Sequence, residues 1–332
     1  MHKSWYHIYN KHFSEGSEKM KVVIDSGHPF CGKTVLEFIK TLSLSSKMIK
    51  YLKYKEDGIL VGGNRVTVRY VLKCGDILSL ALDDTESSKT ATPTKLPLDI
   101  VYEDGDIIVV NKPPFMPTHP SHGHHDDTLA NALAYYYQSR GIPFVFRPIN
   151  RLDRNTSGLV IVAKNKIAAG KMTEHMKAKR IKKSYIALLK GRLDAPTEIA
   201  LHNGEEMGII DKHLHRTAAS IIVREVCSPD TPDADSAITY YRIIKSSDNC
   251  TEVEAFPVTG RTHQLRVHFA SLGHPIIGDD LYGESDPFID RHALHAHTLE
   301  FPLVSGEIIK LSAPLPDDLL SAKSNYFNEV YI

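Results

Sequence analysis

The sequence has few cysteines, and none of them is placed for a disulfide framework or a metal site. The four, Cys31, Cys74, Cys227 and Cys250, lie far apart and form no C-x-x-C pair. Small secreted scaffolds are dense in cysteine, and zinc modules need closely paired ligands. We therefore expect reduced thiols, buried or incidental, in a cytoplasmic protein.

The sequence also lacks net charge and long apolar runs. Lysine and arginine together number 40, and so do aspartate and glutamate, so the formal net charge at pH 7 is +0. Without a global positive field, a protein can bind nucleic acid only through locally concentrated charge. No run approaches the roughly 18 apolar residues of a membrane span. The N-terminus shows no apolar signal-peptide segment, and we expect no contact with membranes.

The composition that remains is that of a globular chain with one large domain or two ordinary ones. The 332 residues are 42% hydrophobic and 24% charged, as in folded soluble proteins. Four of the 18 histidines cluster at His119, His122, His124 and His125. Their neighbours predict a polar loop, and no second ligand cluster at zinc spacing follows. We therefore expect no bound metal.

Changes in composition divide the chain into four parts. They are an N-terminal extension (1–20), a small domain (21–82), a flexible linker (83–97) and a large domain (98–332). The extension has no clear period, and we assign it no function. The linker has no large apolar residue before Leu96, so it cannot bury enough surface to order itself.

The small domain shows a helix, a second helix and then short strands around a turn. The helices are predicted at 34–42 and 47–54, and the turn follows residues 59–61. With 63–66 reading GNRV and 75–78 reading GDIL, this order resembles an S4 RNA-binding domain. The resemblance implies that the second helix faces RNA with Lys47, Lys50, Lys53 and Lys55, although a solvated helix face would also carry them. Because the usual opening R-L-D is absent, we expect weak binding that raises the local concentration of RNA.

The large domain mixes strands and helices without regular βαβ alternation. This pattern predicts an α+β fold with a mixed or antiparallel sheet. Helices are expected at 127–136, capped by Asp126 or Asp127, at 166–177 and at 263–272. Strands are expected at 99–104, 107–112, 158–163, 183–190, 218–226, 237–245, 251–257 and 297–301.

The most informative stretch is 150–164, NRLDRNTSGLVIVAK. Its polar half holds one carboxylate, Asp153, between Arg151 and Arg154. Its second half is an apolar run typical of a strand buried on both faces. A carboxylate at the mouth of such a strand is held rigidly, as a covalent nucleophile requires. A loop-capping aspartate would fit the spacing equally well.

Three blocks decide between these interpretations. Residues 150–159 resemble the H-R-L-D-x-x-T-S-G-L motif of the RluA-type RNA pseudouridine synthases, with Asn150 in place of histidine. Residues 109–120 resemble their N-K-P-x-G-x-x-x-H-P block, with Phe115 in place of glycine. Residues 259–279 resemble their T-G-R-T-H-Q-I-R-V-H and G-H-P-I-x-G-D pair. The resemblance covers about two-thirds of the chain and implies an α+β catalytic domain.

The resemblance assigns roles to three residues. Asp153 is the nucleophile, and Arg266 binds it and keeps it ionised in a site where burial disfavours charge. Tyr185 stacks under the target base and serves in proton transfer during release. From their positions in the sequence, we further expect Arg151 to fill the gap left by the flipped base and Leu299 to pack against the base. The sequence leaves open whether Asp153 attacks the base, attacks the sugar or abstracts a ribose proton.

Local positive charge accompanies these residues. Between 177 and 183, five basic side chains occur without an acid, which suits phosphate contacts as well as a solvated surface. They are Lys177, Lys179, Arg180, Lys182 and Lys183. We expect Lys112, His119, Arg261 and His268 to line the same cleft.

The sequence thus predicts a monomeric RNA pseudouridine synthase, an isomerase that needs no cofactor because its reaction adds no group and changes no redox state. Its substrate is expected to be ribosomal or transfer RNA. An inactive RNA-binding protein on the same fold is the first alternative, raised by Asn150 and Phe115. A hydrolase with paired carboxylates is the second, but no second carboxylate stands in a matching motif.

Overall fold

The computed structural model describes residues 20–82, 84, 91–218, 220 and 222–328. The predicted N-terminal extension lies outside these residues except for Met20, and so does most of 83–90.

The small domain combines two helices with a four-stranded antiparallel sheet. Its elements are β1 (Met20–Val23), α1 (Val35–Lys40), α2 (Ser46–Tyr54), β2 (Ile59–Val61), β3 (Asn64–Arg65) and β4 (Ile77–Leu80), and the strand order is β1-β4-β2-β3. Thr34 caps α1 in a capping box with Glu37, and Ser45 caps α2 through the amide of Met48. The predicted order of two helices and a hairpin is confirmed.

The large domain is built on one mixed sheet, which among the described residues has 11 strands. They are β5 (Asp99–Glu103), β6 (Ile107–Lys112), β7 (Ser157–Ala163), β8 (Lys182–Lys190), β9 (Ile199–His202), β10 (Glu205–Arg216), β11 (Arg224–Cys227), β12 (Asp235–Ser246), β13 (Cys250–Pro257), β14 (Leu294–Pro302) and β15 (Ile308–Ser312). The order is β11-β10-β12-β13-β8-β14-β7-β6-β5, with β9 on β10 and β15 on β14. β7 and β14 pair in parallel, whereas the other pairs are antiparallel.

Helices cover the sheet and close two hydrophobic cores against it. They are α3 (Leu129–Gln138), α4 (Lys166–Lys177), α5 (Gln264–Ala270) and α6 (Asp317–Phe327). α3, α5 and α6 contribute to one core, and α4 contributes to the other. All seven residues of β7 are buried because this strand lies between the two cores. The predicted α+β class with a mixed sheet is confirmed.

Several predicted boundaries were wrong. Thr128, rather than Asp126 or Asp127, caps α3, since its hydroxyl accepts the Asn131 amide and Asn131 bonds back to it. The strand expected at 218–226 begins only at Arg224, and residues 219 and 221 lie outside the described part of the chain. β9, β10 and α6 were not predicted.

The small domain packs against α4. Ile167 joins its hydrophobic core, and the Lys166 ammonium donates to the Leu82 carbonyl at 2.9 Å. Asp84 lies 2.7 Å from Arg147 and 3.1 Å from Lys166. These contacts join the two domains directly.

The prediction of a flexible linker was wrong for the second half of 83–97. Ala91 is buried, the Thr92 carbonyl accepts a hydrogen bond from the Asn131 side chain at 2.7 Å, and Leu96 packs on the main core. The composition missed this because hydrogen bonding to the buried Asn131 and two isolated apolar contacts, rather than a run of apolar residues, hold the segment.

Candidate active site

Asp153 lies on a loop that is fixed from several sides. Thr118 donates its hydroxyl to the Leu152 carbonyl at 2.9 Å. The ammonium of Lys112 donates to the Arg154 carbonyl at 3.1 Å, and Arg291 donates to the Asn155 carbonyl at 3.0 Å. The carboxylate is therefore presented by a rigid backbone at the start of β7.

Gly158 fixes how closely β7 approaches β14. Its φ is +111°, and a Cβ there would lie 2.2 Å from the Ala296 carbonyl oxygen. Only glycine permits this parallel contact, in which His295 pairs with Ser157 and Ala296 with Gly158. The contact places the Asp153 loop beside the strand that borders β8.

Arg266 on α5 is the cation nearest to the carboxylate. Its Nη1 lies 3.7 Å from Asp153 Oδ2. Burial opposes the charge of Arg266, but hydrogen bonds and charge from Asp279, together with the charge of Asp153, raise the pKa of the guanidinium. The site therefore holds a permanent positive charge beside Asp153.

The expectation that Arg266 binds Asp153 needs correction in its geometry. The two-pronged contact is made with Asp279 instead, at 2.7 Å from Nε to Oδ2 and 2.6 Å from Nη2 to Oδ1. Asp279 is fully buried, and Arg266 lowers the pKa of its carboxyl against the opposing effect of burial. Asp279 thus orients Arg266, which turns its remaining nitrogen toward Asp153.

Sequence reasoning missed His263 as a member of the site. Its Nε2 lies 3.9 Å from Asp153 Oδ2, and its Nδ1 lies 2.8 Å from the Tyr282 hydroxyl. Burial lowers the pKa of His263, although the charge of Asp153 opposes this. His263 and Asp279 both stand in the quoted motif blocks, which was the available signal. Their partners could not be read from spacing.

Tyr185 on β8 lies in the same cleft as Asp153. Tyr185 is 8% exposed. Burial raises the pKa of its phenol above the usual value, and the charge of Asp153 adds a smaller effect in the same direction. The hydroxyl therefore stays protonated at neutral pH, and the ring offers an aromatic surface beside the carboxylate.

These residues line an open cleft of about 1450 Å³. Within the described parts of the chain, nine lysines and arginines and four carboxylates line it. The chain has no net charge, so the positive charge is concentrated locally, as a polyanion-binding surface requires. The cations are Arg151, Lys177, Lys179, Lys182, Lys183, Arg242, Arg261, Arg266 and Lys310.

The structure brings most of the predicted residues together. Asp153, Tyr185, Arg266, Arg151, His119, Lys183 and Arg261 all line the cleft. Arg261 is partly neutralised because its guanidinium lies 2.9 Å from Asp235. Arg180, the fifth member of the predicted basic run, is not among the lining residues.

Three predicted cleft residues lie elsewhere. Lys112 is buried and donates to the carbonyls of Pro113, Met116 and Arg154, so it supports the loop from beneath. His268 is buried with its Nδ1 2.9 Å from the Thr239 hydroxyl. Leu299 packs in the core beneath α4, because it lies on the face of β14 opposite to Thr298 and Glu300, which line the cleft.

The structure shows the surroundings of both departures from the family motifs. Asn150 accepts the Ile161 amide at 2.8 Å and donates to the Leu159 carbonyl at 3.1 Å, so it holds the backbone of β7, and it also lines the cleft. Phe115 has a φ of +63°, a conformation that favours the glycine usual at this position, and nothing in the structure explains the phenylalanine there. Phe115 lies outside the cleft lining.

In the described ranges, no group of three or more His, Cys, Asp or Glu side chains is arranged to hold a metal ion. None of the helices found there has the length and apolarity to cross a membrane.

Comparisons with known proteins agree with this geometry. The family model for RNA pseudouridylate synthase matches residues 106–271. YjbO of Bacillus subtilis (strain 168), an uncharacterized RNA pseudouridine synthase, is 36% identical over 288 residues, which are 86% of this chain and 96% of that protein. Ribosomal large subunit pseudouridine synthase D of Haemophilus ducreyi is 37% identical over 249 residues, 69% of this chain and 70% of that one. The structure of human RNA pseudouridylate synthase domain containing 1 matches with a TM-score of 0.53 and 31% identity, over 66% of this chain and 83% of that one.

The fold is α+β, and its cleft holds the carboxylate of Asp153 among many basic side chains. The chain belongs to the RNA pseudouridylate synthase family, in its RluA-type branch. It is an RNA-modifying isomerase.

Proposed function

We propose that this enzyme converts specific uridines of structured RNA to pseudouridine with Asp153 as the nucleophile. The observation that carries the proposal is the carboxylate of Asp153 facing Arg266 Nη1 at 3.7 Å in a basic cleft that Tyr185 also lines. Asp279 holds Arg266 in place from behind.

The chemistry requires only groups that this chain supplies. The uracil is detached at N1, turned and rejoined to C1′ through C5, and one proton leaves C5 while N1 gains one. Atoms and charge therefore balance without a cofactor. Asp153 supplies the nucleophile, Arg266 places a positive charge 3.7 Å from it, and Tyr185 supports the base with its ring and moves a proton during release.

The target base must leave its stack to reach this site. Extrusion requires a few kcal/mol, least at an unpaired uridine. Arg151 is exposed at the cleft beside Asp153, where its side chain can occupy the vacated space. Lys183 and His119 line the same cleft and bind the flanking backbone.

We propose ribosomal RNA as the first substrate to test, with transfer RNA as the second. The support is the 37% identity to a protein named ribosomal large subunit pseudouridine synthase D. An enzyme with this substrate works where ribosomes are assembled, so we propose that it is cytoplasmic. We also propose that it acts as a monomer.

The small domain is proposed to bind RNA in the manner of an S4 domain. Lys47, Lys50 and Lys53 are exposed on α2. Since this domain packs on α4, whose last residue, Lys177, lines the cleft, bound RNA can extend from one surface toward the other.

The test is pseudouridine mapping of total RNA from cells with and without the protein. We expect one or a few ribosomal positions to lose the modification, and purified protein to restore it in vitro. Loss only from transfer RNA would correct the substrate. Unchanged maps, with purified protein inactive on unmodified ribosomal and transfer RNA, would overturn the proposal in favour of the inactive RNA-binding alternative.

A further inference from the structure

The cleft contains an aromatic surface that the proposed chemistry does not use. The rings of His202 and Tyr240 stack with centroids 4.2 Å apart at 20°. Phe256 pairs with Tyr240 across β12 and β13, and its ring lies 5.9 Å from that of His202. All three residues are partly exposed and line the cleft. We call them the aromatic platform.

The aromatic platform is not part of a hydrophobic core. Tyr240 and Phe256 are absent from every apolar cluster formed by the described residues. Aromatic rings left partly open in a binding cleft offer π faces to a ligand, and any nucleobase can stack on them.

Register places the platform close to Tyr185. Ala255 on β13 pairs with Tyr185, and Phe256 is the next residue along that strand, so its side chain leaves the opposite face of the sheet from Tyr185. Tyr240 lies one strand further, roughly 10 Å from β8 at the usual strand spacing. Because Tyr185 and the platform line the same open cleft, a base near the target uridine can reach the platform while the uridine occupies the site.

Cations and acids both border the platform. Burial lowers the pKa of His202, and the charge of Lys182 adds to this effect, so the imidazole is neutral at pH 7. Arg242 lies 5.9 Å above the Phe256 ring and is held by Glu254 at 2.6 Å and by Glu205 at 3.8 Å. The phosphates of a stacked nucleotide would face Lys183, since carboxylates already neutralise Arg242 and also Lys182, which lies 2.8 Å from Glu300.

We propose that the aromatic platform of His202, Tyr240 and Phe256 binds an unpaired base of the substrate RNA close to the target uridine. The assignment to substrate rests on the proposed function. A base held here fixes the register of the strand, so it selects uridines with an unpaired neighbour. Paired bases cannot stack on it because their faces are already covered.

The test uses a single-stranded oligouridylate that carries one 2-aminopurine, whose fluorescence falls when the base stacks. The full-length protein is titrated with this probe. We expect Tyr240→Leu and Phe256→Leu to remove the quenching and to weaken binding about five- to a hundredfold, the range for loss of one base–aromatic stack. Tyr240→Phe, which keeps the ring, should behave like the wild type. The matched control is Phe288→Leu, because Phe288 is 45% exposed and lies outside the cleft.

Three outcomes would overturn the platform: unchanged quenching in both leucine variants, equal loss in Phe288→Leu, or equal quenching by a fully paired duplex. If the leucine variants melt at lower temperature, His202→Ala at the end of β9 decides by the same readout. At saturating RNA, the single-turnover rate of Phe288→Leu should equal that of the wild type. Wild-type protein that quenches the probe but isomerises no uridine would contradict the proposed function and leave the platform standing.

Discussion

The contact between Arg266 and Asp279 gives a prediction about rate that does not depend on family membership. Arg266→Lys retains one positive charge but loses the planar group that reaches two carboxylates at once. In the wild type, Asp279 holds two nitrogens at 2.7 and 2.6 Å while the third lies 3.7 Å from Asp153. A lysine ammonium in this buried position can pair with only one of the two carboxylates, so either Asp279 or Asp153 loses its contact with this cation.

The expected loss follows from the hydrogen bonds that a lysine cannot make: at least one of the two that Arg266 donates to Asp279 is lost, and with it the arrangement that holds a cation 3.7 Å from Asp153. A hydrogen bond to a charged group contributes about 1.5–3 kcal/mol, and each 1.36 kcal/mol changes a rate tenfold. Single-turnover pseudouridine formation by Arg266→Lys should therefore be about ten- to a hundredfold slower than in the wild type. The control is Arg192→Lys, since Arg192 pairs with Asp194 on an exposed surface outside the cleft.

The same argument can be tested from the carboxylate side. Asp279→Asn keeps the shape of the side chain but removes the charge that orients Arg266, so it should also slow the single-turnover rate. Breaking a buried pair destabilises by about 3–5 kcal/mol, so the rate is measured well below the melting temperature of the variant. Wild-type rates in both Arg266→Lys and Asp279→Asn would refute the positioning role.

Three further predictions concern stability and RNA binding. Burial lowers the pKa of His292 to about 3 and those of His268 and His295 to about 4. Because histidine in the unfolded chain titrates near 6.5, the stability present above pH 6.5 should be lost toward pH 4, by up to about 1.4 kcal/mol per group per pH unit. A melting temperature unchanged from pH 7 to 5 would contradict this. Gly158→Ala should lower the free energy of unfolding by about 2–6 kcal/mol in denaturant melts, because its Cβ would meet the Ala296 backbone. The control Gly204→Ala also has a positive φ, but its Cβ would enter open space, so it should lower the free energy of unfolding by only about 1–2 kcal/mol. Equal losses in the two variants would refute the close approach of β7 to β14. Lys112→Met should lower the melting temperature without changing the salt dependence of RNA binding. Arg261→Ala should leave the melting temperature unchanged and reduce the slope of log K against log salt concentration by about 0.7–0.9. The opposite pattern would show that Lys112, and not Arg261, contacts RNA.

The sequence predicted best those elements whose pattern depends on local burial. β7 was located closely because the strand is buried on both faces and therefore reads as a continuous apolar run. The helix Lys166–Lys177 was also located closely, and Asn165 caps its first turn. β10 was missed because its 12 residues include five charged side chains and two histidines but only four large apolar ones, although strands pair with it on both sides.

The candidate site was predictable in its members but not in its contacts. The motifs located Asp153, Tyr185 and Arg266, yet the partner of Arg266 lies 13 residues away across a turn. Leu299 was misplaced because it lies on the face of β14 opposite to Thr298 and Glu300, which line the cleft. Successive residues of a strand point to opposite faces, so an assignment that is wrong by one residue places the side chain on the wrong face.

The role of Asp153 is tested most directly by Asp153→Asn. The substitution keeps the volume of the side chain and removes the nucleophile, so single- and multiple-turnover assays on unmodified ribosomal RNA should detect no pseudouridine. RNA should bind at least as tightly as to the wild type, because a negative charge has left a cleft that binds phosphates. Sustained multiple-turnover pseudouridine formation by Asp153→Asn would contradict the assignment of this carboxylate as the nucleophile.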